Sequence, residues 1–329
     1  MKNLDKKLTN VSSGKFERKD FIIADAKDAD MGAGRRAPGY KRDENGKLIK
    51  QIESYPFYLN KMKSMTESGL VDIMLMSMTS AERLNNEGLF KDSTVTPAIR
   101  LNDTSCIWGM LRNGEYDKHK SRHFATAQLQ HAIKFADLGL YSMTFNKDVD
   151  LDIEMLNTYR NFRYESENIG MRHFLEVFNS AVIDLSTEEM GQYINDCILR
   201  SLSGQKKTEK PIFLKIAYNG PSAMEELASY DPGNLIVGIL GGSKGTTRDC
   251  FELISQALKY GARVALFGRK INLAENQELI VKMMHKVILA EVSPKEAVKI
   301  YHDELSKKGI FSDRELSEDI EITEEILKN

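Results

Sequence analysis

The segment PIFLKIAYNG (211–220) begins a stretch in which strand-like and helix-like patterns alternate. Two further apolar runs follow it, LIVGILGG (235–242) and VALFGRKIN (264–272). Helical patterns over 222–229 and 246–259 separate the three runs. Strands that are apolar along their whole length and alternate with helices are typical of a parallel sheet covered by helices. The stretch therefore predicts part of an α/β fold.

The same alternation extends along the whole chain of 329 residues. We predict eight strands, at about residues 20–26, 71–77, 96–102, 138–145, 171–179, 211–218, 235–241 and 262–267. Further helical patterns cover 150–167, 186–202 and 277–291. Eight strands over one domain's length favour a single (β/α)8 TIM barrel that spans residues 1–329. The alternative is an open doubly wound sheet, but no GxGxxG pattern follows the first strand.

Two segments depart from the alternation. Residues 31–58 follow the first strand and begin with the Gly- and Arg-rich sequence MGAGRRAPGYKR. In a barrel this segment lies on the C-terminal face, where active sites are built, so it is either a lid that carries Arg35, Arg36 and Lys41 to an anion or a solvated insertion. Residues 310–329 form an acidic C-terminal segment, either a packed amphipathic helix or, more simply, a solvated tail.

Composition and charge exclude several kinds of protein. Hydrophobic residues make up 41% and charged residues 29% of the chain, as in ordinary soluble proteins. The formal net charge of −2 gives no general attraction to nucleic acid or membranes. The longest apolar runs are too short to cross a bilayer, and the first ten residues lack the apolar run of a secretion signal. We expect a cytoplasmic protein without nucleic-acid or membrane partners.

Cysteine and histidine residues form no metal-binding pattern. Cys106, Cys197 and Cys250 lie far apart and lack CxxC spacing, and the six histidines form neither HExxH nor HxH. This argues for a reducing environment and against a disulfide framework or a structural zinc site. We expect no metal and no cofactor.

Lys215 lies in the middle of an apolar predicted strand. Burial disfavours a charged ammonium, and a neutral amine can condense with a ketone to give an imine that promotes C–C cleavage. The alternatives are a lysine that extends to the barrel rim and a lysine paired with a core acid. If Lys215 faces the barrel interior, strand alternation places Phe213, Ala217 and Asn219 on the same face.

Acidic residues on two other predicted strands can supply proton transfer. Glu176 lies in the middle of the fifth strand, and Asp25 ends the first strand with Lys27 two residues later on the same face. If they converge on Lys215, they provide the acids and bases that imine formation requires. The alternatives are a neutralising salt bridge between Glu176 and Lys215, and a role for Asp25 in capping the following loop.

Glycine turns follow the last two predicted strands, and each turn has a neighbouring cation. Glycines expose backbone N–H groups, and the helix that begins near Thr246 adds a positive dipole. In TIM barrels the loops after strands seven and eight are a common phosphate site. The predicted anion-binding residues are Gly241, Gly242, Ser243, Lys244, Gly268 and Arg269.

The motifs FLKIAYNG, GILGGSKGTT and LFGRKIN together resemble the class I (Schiff-base) aldolases of the prokaryotic fructose-bisphosphate and tagatose-bisphosphate aldolase group. The autoinducer-2 thiolases share the fold of that family. The resemblance implies that Lys215 forms the imine and that the two glycine turns hold a sugar phosphate. It also implies acid–base roles for Asp25, which resembles the family's aspartate after strand one, and for Glu176, which resembles the strand-five glutamate of the tagatose-type enzymes.

The sequence departs from the family pattern at three strands. The first strand reads Asp25-Ala26-Lys27 where the family has Asp-His-Gly or Asp-Gln-Arg, and the fifth strand lacks the tyrosine of the fructose-bisphosphate enzymes. The fourth strand lacks the lysine of the tagatose-type enzymes and has Tyr141, Ser142 and Thr144 instead. The proton carrier therefore stays open among Glu176, Asp25 and Tyr141.

Lys27 and Arg100 complete the predicted substrate-binding residues. Arg100 lies with Asn102 and Asp103 on the third strand, where the three bind sugar hydroxyls or a second anion, or close the barrel. We expect a homo-oligomeric class I aldolase that cleaves or forms a C–C bond in a phosphorylated or similarly anionic ketose. The alternatives are a transaldolase, a thiolase-type acyl transferase and a non-catalytic sugar-phosphate-binding protein.

Overall fold

The computed structural model describes residues 1–44 and 46–328 of the chain. Eight parallel strands close into a barrel in which each strand pairs with its neighbours in chain order. They are β1 (Ile22–Lys27), β2 (Ile73–Met76), β3 (Thr96–Arg100), β4 (Leu138–Thr144), β5 (Arg172–Phe178), β6 (Leu214–Ile216), β7 (Val237–Leu240) and β8 (Val264–Phe267). The predicted TIM barrel is confirmed, and each strand overlaps its predicted range.

Helices cover the outside of the barrel. The longer helices of the described chain are α1 (Asn3–Ser12), α2 (Tyr55–Ser68), α3 (Met78–Asn86), α4 (Val149–Ile169), α5 (Thr187–Leu202), α6 (Pro221–Tyr230), α7 (Thr247–Lys259), α8 (Gln277–Ile288) and α9 (Pro294–Lys307). Helices of four residues are Asp30–Ala33, Leu129–Ala132, Arg269–Asn272 and Leu316–Asp319. None of the described helices is long and apolar enough to cross a membrane.

Alternation along the strands divides the core into two layers. Ala24 and Ala26 of β1 and Phe213, just before β6, belong to the cluster inside the barrel, whereas Leu214 and Ile216 of β6 pack outward against the helices. Leu4 of α1 also belongs to the interior cluster, so this helix closes the N-terminal end of the barrel. The alternation decides which polar side chains reach the barrel interior.

The segment after β1 is folded onto the barrel. A hairpin of Tyr40–Arg42 with Leu48–Ile52 precedes α2, and Arg42 forms an ion pair with Asp313 at 2.7 Å. Asn45 of the predicted 31–58 insertion and Asn329 of the C-terminal segment lie outside the described residues.

The C-terminal segment is also packed, so its interpretation as a solvated tail is wrong. Asp319 is buried and accepts a hydrogen bond from the backbone N–H of Thr247, at 2.8 Å. Leu327 is buried in the outer layer of the core. The segment is held because it caps the start of α7 and contributes apolar side chains to the layer between strands and helices.

Candidate active site

Lys215 lies inside the barrel, because the neighbouring residues of β6 face the helices. Its strand register places it beside Glu176 of β5. Lys215 Nζ lies 2.6 Å from Glu176 Oε1, and the two residues are only 5% and 1% exposed. Parallel pairing of the two strands therefore brings an amine and a carboxylate together inside the barrel, where the carboxylate can take a proton from the amine.

The second oxygen of Glu176 is held from the other side. Glu176 Oε2 accepts hydrogen bonds from Ser142 Oγ at 2.8 Å and from Arg100 Nη2 at 3.1 Å. Ser142 pairs with Glu176 in the register of β4 and β5, and Asn102 bonds both backbone groups of Ser142. Glu176 is thus fixed in one orientation with one oxygen directed to Lys215.

Arg100 joins two more carboxylates to this group. Its Nε lies 2.5 Å from Asp28 Oδ2, and its Nη1 lies 3.2 Å from Asp103 Oδ1. Burial alone would raise the pKa of Asp28, but the charges of Arg100 and Lys215 outweigh it and lower that pKa. Burial, helped by the nearby acids, raises the pKa of Asp103 to about 7 despite Arg100. The site therefore combines carboxylates of different proton affinity.

A cavity of about 140 Å³ opens above this network at the C-terminal mouth of the barrel. We call it the barrel-mouth cavity; its polar wall includes Asp28, Arg100, Glu176, Lys215 and Arg269. Larger cavities of about 550, 540 and 620 Å³ lie at the periphery, and neither Lys215 nor Glu176 lines them. Asn219 lines one of these peripheral cavities and forms a hydrogen bond with Asn179. It does not face the barrel interior, because β6 ends at Ile216 and the strand alternation does not extend to Asn219. The barrel-mouth cavity is the candidate active site because of the ionisable side chains that line it, and not because of its volume.

The glycine turns after β7 and β8 form one side of the barrel-mouth cavity. Gly242 has a φ of +61°, which favours glycine, and a side chain on Gly268 would place its Cβ 2.9 Å from the carbonyl oxygen of Ala26. Among the described residues, none accepts a hydrogen bond from the backbone N–H of Gly242, and none pairs with the exposed guanidinium of Arg269. These groups are available to an anion.

Ser243 and Lys244 lie away from the barrel-mouth cavity, contrary to the sequence-based expectation. Ser243 Oγ bonds Glu324, at 3.4 Å, and Lys244 Nζ pairs with Asp313 at 2.8 Å. Both partners belong to the C-terminal segment, which turns these side chains outward.

The start of α7 is likewise unavailable to a phosphate. Its first backbone N–H groups donate to the protein's own acids, that of Thr246 to Asp249 and that of Thr247 to Asp319, at 2.9 and 2.8 Å. The expectation that this helix directs its dipole at a bound anion is therefore wrong.

Asp25, Lys27 and Tyr141 do not converge on Lys215, because they face the helices. Asp25 and Lys27 are both fully buried and pair with each other, with Nζ at 2.6 and 2.5 Å from the two carboxylate oxygens. Tyr141 packs against Tyr159 and Phe162 of α4, and burial raises its pKa. The predicted positions of these three residues are wrong, because interior positions of β1 and β4 have the opposite parity.

Asp28 is the residue that sequence reasoning missed. Ala24 and Ala26 face the barrel interior, and Asp28 continues the same alternation onto the barrel-mouth cavity. The signal was present in the sequence, since small apolar residues at alternate positions mark the side of β1 that packs inside a narrow barrel.

The described residues contain no group of three or more His, Cys, Asp or Glu side chains placed to hold a metal ion.

Solved structures with the same fold include several aldolases. A Schiff-base-forming fructose-1,6-bisphosphate aldolase aligns with a TM-score of 0.60 and 14% identity, covering 87% of this chain and 99% of that one. An archaeal fructose-1,6-bisphosphate aldolase, with its catalytic lysine bound to a carbinolamine intermediate, aligns with a TM-score of 0.58, 16% identity and the same coverage. Fructose-bisphosphate aldolase from Slackia heliotrinireducens aligns with a TM-score of 0.64 and 10% identity, covering 92% and 89%.

No family model and no curated protein matches the chain. Identities of 10 to 16% show the fold alone. The resemblance drawn from the sequence is confirmed at that level: the chain has the fold of Schiff-base fructose-bisphosphate aldolases over nearly the whole length of those proteins.

Proposed function

We propose that this protein is a class I aldolase that cleaves or forms a C–C bond in an anionic ketose through an imine on Lys215. The observation that carries the proposal is the buried Lys215–Glu176 pair on the wall of the barrel-mouth cavity. An isolated structural salt bridge would have no need of a cavity beside its amine. Arg269, which has no ion-pair partner among the described residues, and the glycine turns on the same wall suit the anionic group of a ketose.

The proposed reaction uses the contacts of Lys215 in order. Lys215 passes its ammonium proton to Glu176, the neutral amine attacks the ketone carbonyl, and Glu176 returns the proton as water leaves, which gives a protonated imine and a free carboxylate. Glu176 then takes the proton from the hydroxyl of the carbon that becomes the aldehyde. The C–C bond breaks, its electron pair forms an enamine on Lys215, and the aldehyde leaves. Protonation of the enamine and hydrolysis of the imine release the second product and restore Lys215. Asp28 and Asp103, joined to Glu176 through Arg100, are further carboxylates for moving protons.

The test is turnover of a panel of phosphorylated ketoses with and without sodium borohydride. We expect aldehyde release, and irreversible inactivation only when ketose and borohydride are present together. EDTA is expected to leave the rate unchanged, since the imine serves as the electron sink. Turnover that resists borohydride and stops in EDTA would overturn the proposal, as would acyl transfer to coenzyme A without any aldolase activity.

Other expectations from the sequence stay predictions. They are a cytoplasmic location, assembly into a homo-oligomer, and organisation of residues 1–329 as a single domain.

A further inference from the structure

A second cavity, of about 250 Å³, adjoins the barrel-mouth cavity. The two share Ala26, Gly268 and Arg269 as part of a common wall. Beyond that wall the second cavity is lined mainly by small apolar residues of the segment after β1, among them Ala33 and Ala37. We call it the alanine cavity. A mostly apolar space therefore lies directly beside the cavity that contains Lys215.

Two residues that line the alanine cavity each have a buried polar atom that lacks a partner within the described chain. Asn272 is only 4% exposed and its Nδ2 donates to the carbonyl oxygen of Ala37 at 2.9 Å, which fixes the orientation of the amide. Asn272 Oδ1 and Arg36 Nε are buried without a hydrogen bond. Unsatisfied buried polar atoms are costly, so a ligand with a donor for Asn272 and an acceptor for Arg36 would be favoured there.

The same cavity holds two guanidinium groups without acidic partners among residues 1–44 and 46–328. Arg36 donates to the carbonyl oxygen of Met110, which leaves its charge uncompensated, and Arg269 has no partner within these ranges. Nearby cations are neutralised differently, as Lys244 pairs with Asp313 and Lys270 with Glu324. An anion is therefore best compensated between Arg36 and Arg269.

We propose that the alanine cavity binds the anionic end of the substrate, and that this end carries an apolar body rather than a hydroxylated chain. An apolar cavity of about 150 Å³ is sufficient for benzene, so the alanine cavity suits a substituted aromatic ring or a branched alkyl group of similar size. The inference rests on the proposed function, because it assigns the part of the substrate that does not react with Lys215.

Two phosphate monoesters of equal charge test the inference by calorimetry. Phenyl phosphate and glycerol 3-phosphate are titrated into the wild-type protein and into Lys215→Met, in which the chemistry is removed. We expect phenyl phosphate to bind at least about tenfold more tightly to both, since burial of its ring adds to the same anion contacts. Equal affinities, or tighter binding of glycerol 3-phosphate, would overturn the inference even if borohydride labelling of Lys215 succeeds. Failure of that labelling with the preference intact would overturn only the aldolase proposal.

Matched variants locate the bound ring. Arg36→Ala is expected to weaken phenyl phosphate binding about tenfold or more, whereas Arg35→Ala is a neighbouring control whose guanidinium bonds the carbonyl oxygens of Ile52 and Glu53. Ala33→Leu is expected to fill the alanine cavity, which abolishes the preference for phenyl phosphate but leaves inorganic phosphate binding unchanged. Circular dichroism confirms that each variant is folded. Unchanged phenyl phosphate affinity in folded Arg36→Ala and Ala33→Leu would contradict the assignment.

Discussion

Glu176 contacts the proposed reactive amine with one oxygen and is held by Ser142 and Arg100 through the other. Glu176→Gln keeps the shape of the side chain and removes its capacity to take a proton. We expect turnover to fall about 10²- to 10⁴-fold with a much smaller change in KM. Ser142→Ala is the control, because it removes one support of Glu176 but no ionisable group. Steady-state kinetics that find Glu176→Gln no slower than Ser142→Ala would exclude Glu176 as the proton carrier.

Asp25 and Lys27 form a fully buried ion pair on the outer face of β1. Burial raises the pKa of Asp25 and lowers that of Lys27, so either charge left alone is unfavourable. We expect Lys27→Met to reduce the free energy of unfolding by about 3–5 kcal/mol, and the double variant Asp25→Leu/Lys27→Met to recover much of that loss. Urea unfolding measures both. Equal losses of unfolding free energy in the single and double variants would contradict this. A double variant that is folded but has no activity would show that Asp25 or Lys27 is required for catalysis.

Single residues were predicted from sequence where the strand itself identified them. Lys215 and Glu176 each interrupt an apolar strand, and β5–β6 pairing then places them together. Asp25 and Asp28 show the limit, since a shift of one residue in a strand exchanges its two faces. The end of β1 and the residue after it carry charged side chains of both parities, Asp25 and Lys27 on one and Asp28 on the other, and only packing of the β1 alanines inside the barrel decides between them.

At the scale of elements, the C-terminal segment and the start of α7 stabilise each other through Asp249. Its carboxylate accepts hydrogen bonds from the backbone N–H groups of Thr246, Thr323 and Glu324, and from the hydroxyl of Thr323. No local pattern in the sequence indicates the contacts with Thr323 and Glu324, because these two residues lie more than 70 residues from Asp249. The sequence therefore predicted that the glycine turn and the start of α7 bind phosphate. In the structure, the backbone N–H groups at the start of α7 donate to carboxylates of the protein instead.

Asp249→Ala tests this element-scale coupling. We expect it to reduce the free energy of unfolding by roughly 2 kcal/mol or more, since it removes a helix cap and leaves the donors of Thr246, Thr323 and Glu324 without their acceptor. Glu296→Ala is the control, because Glu296 has the same place in the capping box of α9 but is exposed, and about 0.5–1 kcal/mol is expected there. Equal losses by urea unfolding would show that the C-terminal segment contributes nothing at Asp249.

For the whole molecule, the fold was predictable because one signal recurs eight times along the chain. Each strand is a short apolar run between helical patterns, so errors of a few residues at the ends leave the barrel unchanged. Helix α1 and the hairpin after β1 were not predicted. Their stability comes from packing on the barrel, as when Leu4 enters the interior cluster, rather than from their own pattern.

The stability of the whole barrel is expected to fall on acidification, through a buried histidine. His173 of β5 bonds Tyr159 Oη at 2.8 Å, and burial lowers its pKa to about 3. Between about pH 6.5 and 3, His173 is protonated in the unfolded chain but stays neutral in the folded protein. The free energy of unfolding therefore decreases as the pH falls. We expect His173→Gln to reduce the slope of the free energy of unfolding against pH over pH 4–6 by roughly 1.4 kcal/mol per pH unit, which corresponds to about one proton. Urea unfolding measures this slope, and His131→Gln, at an exposed site, is the control. Parallel profiles would contradict this.

The identity of the lysine that carries the imine is the most direct test of the account. The protein is incubated with a cleavable phosphorylated ketose and borohydride, digested, and mapped by tandem mass spectrometry. We predict a single reduced adduct on the peptide that contains Lys215, and its disappearance in a folded Lys215→Met variant that has lost all cleavage activity. An adduct on another lysine, such as Lys27 or Lys244, or continued cleavage by Lys215→Met, would contradict the account.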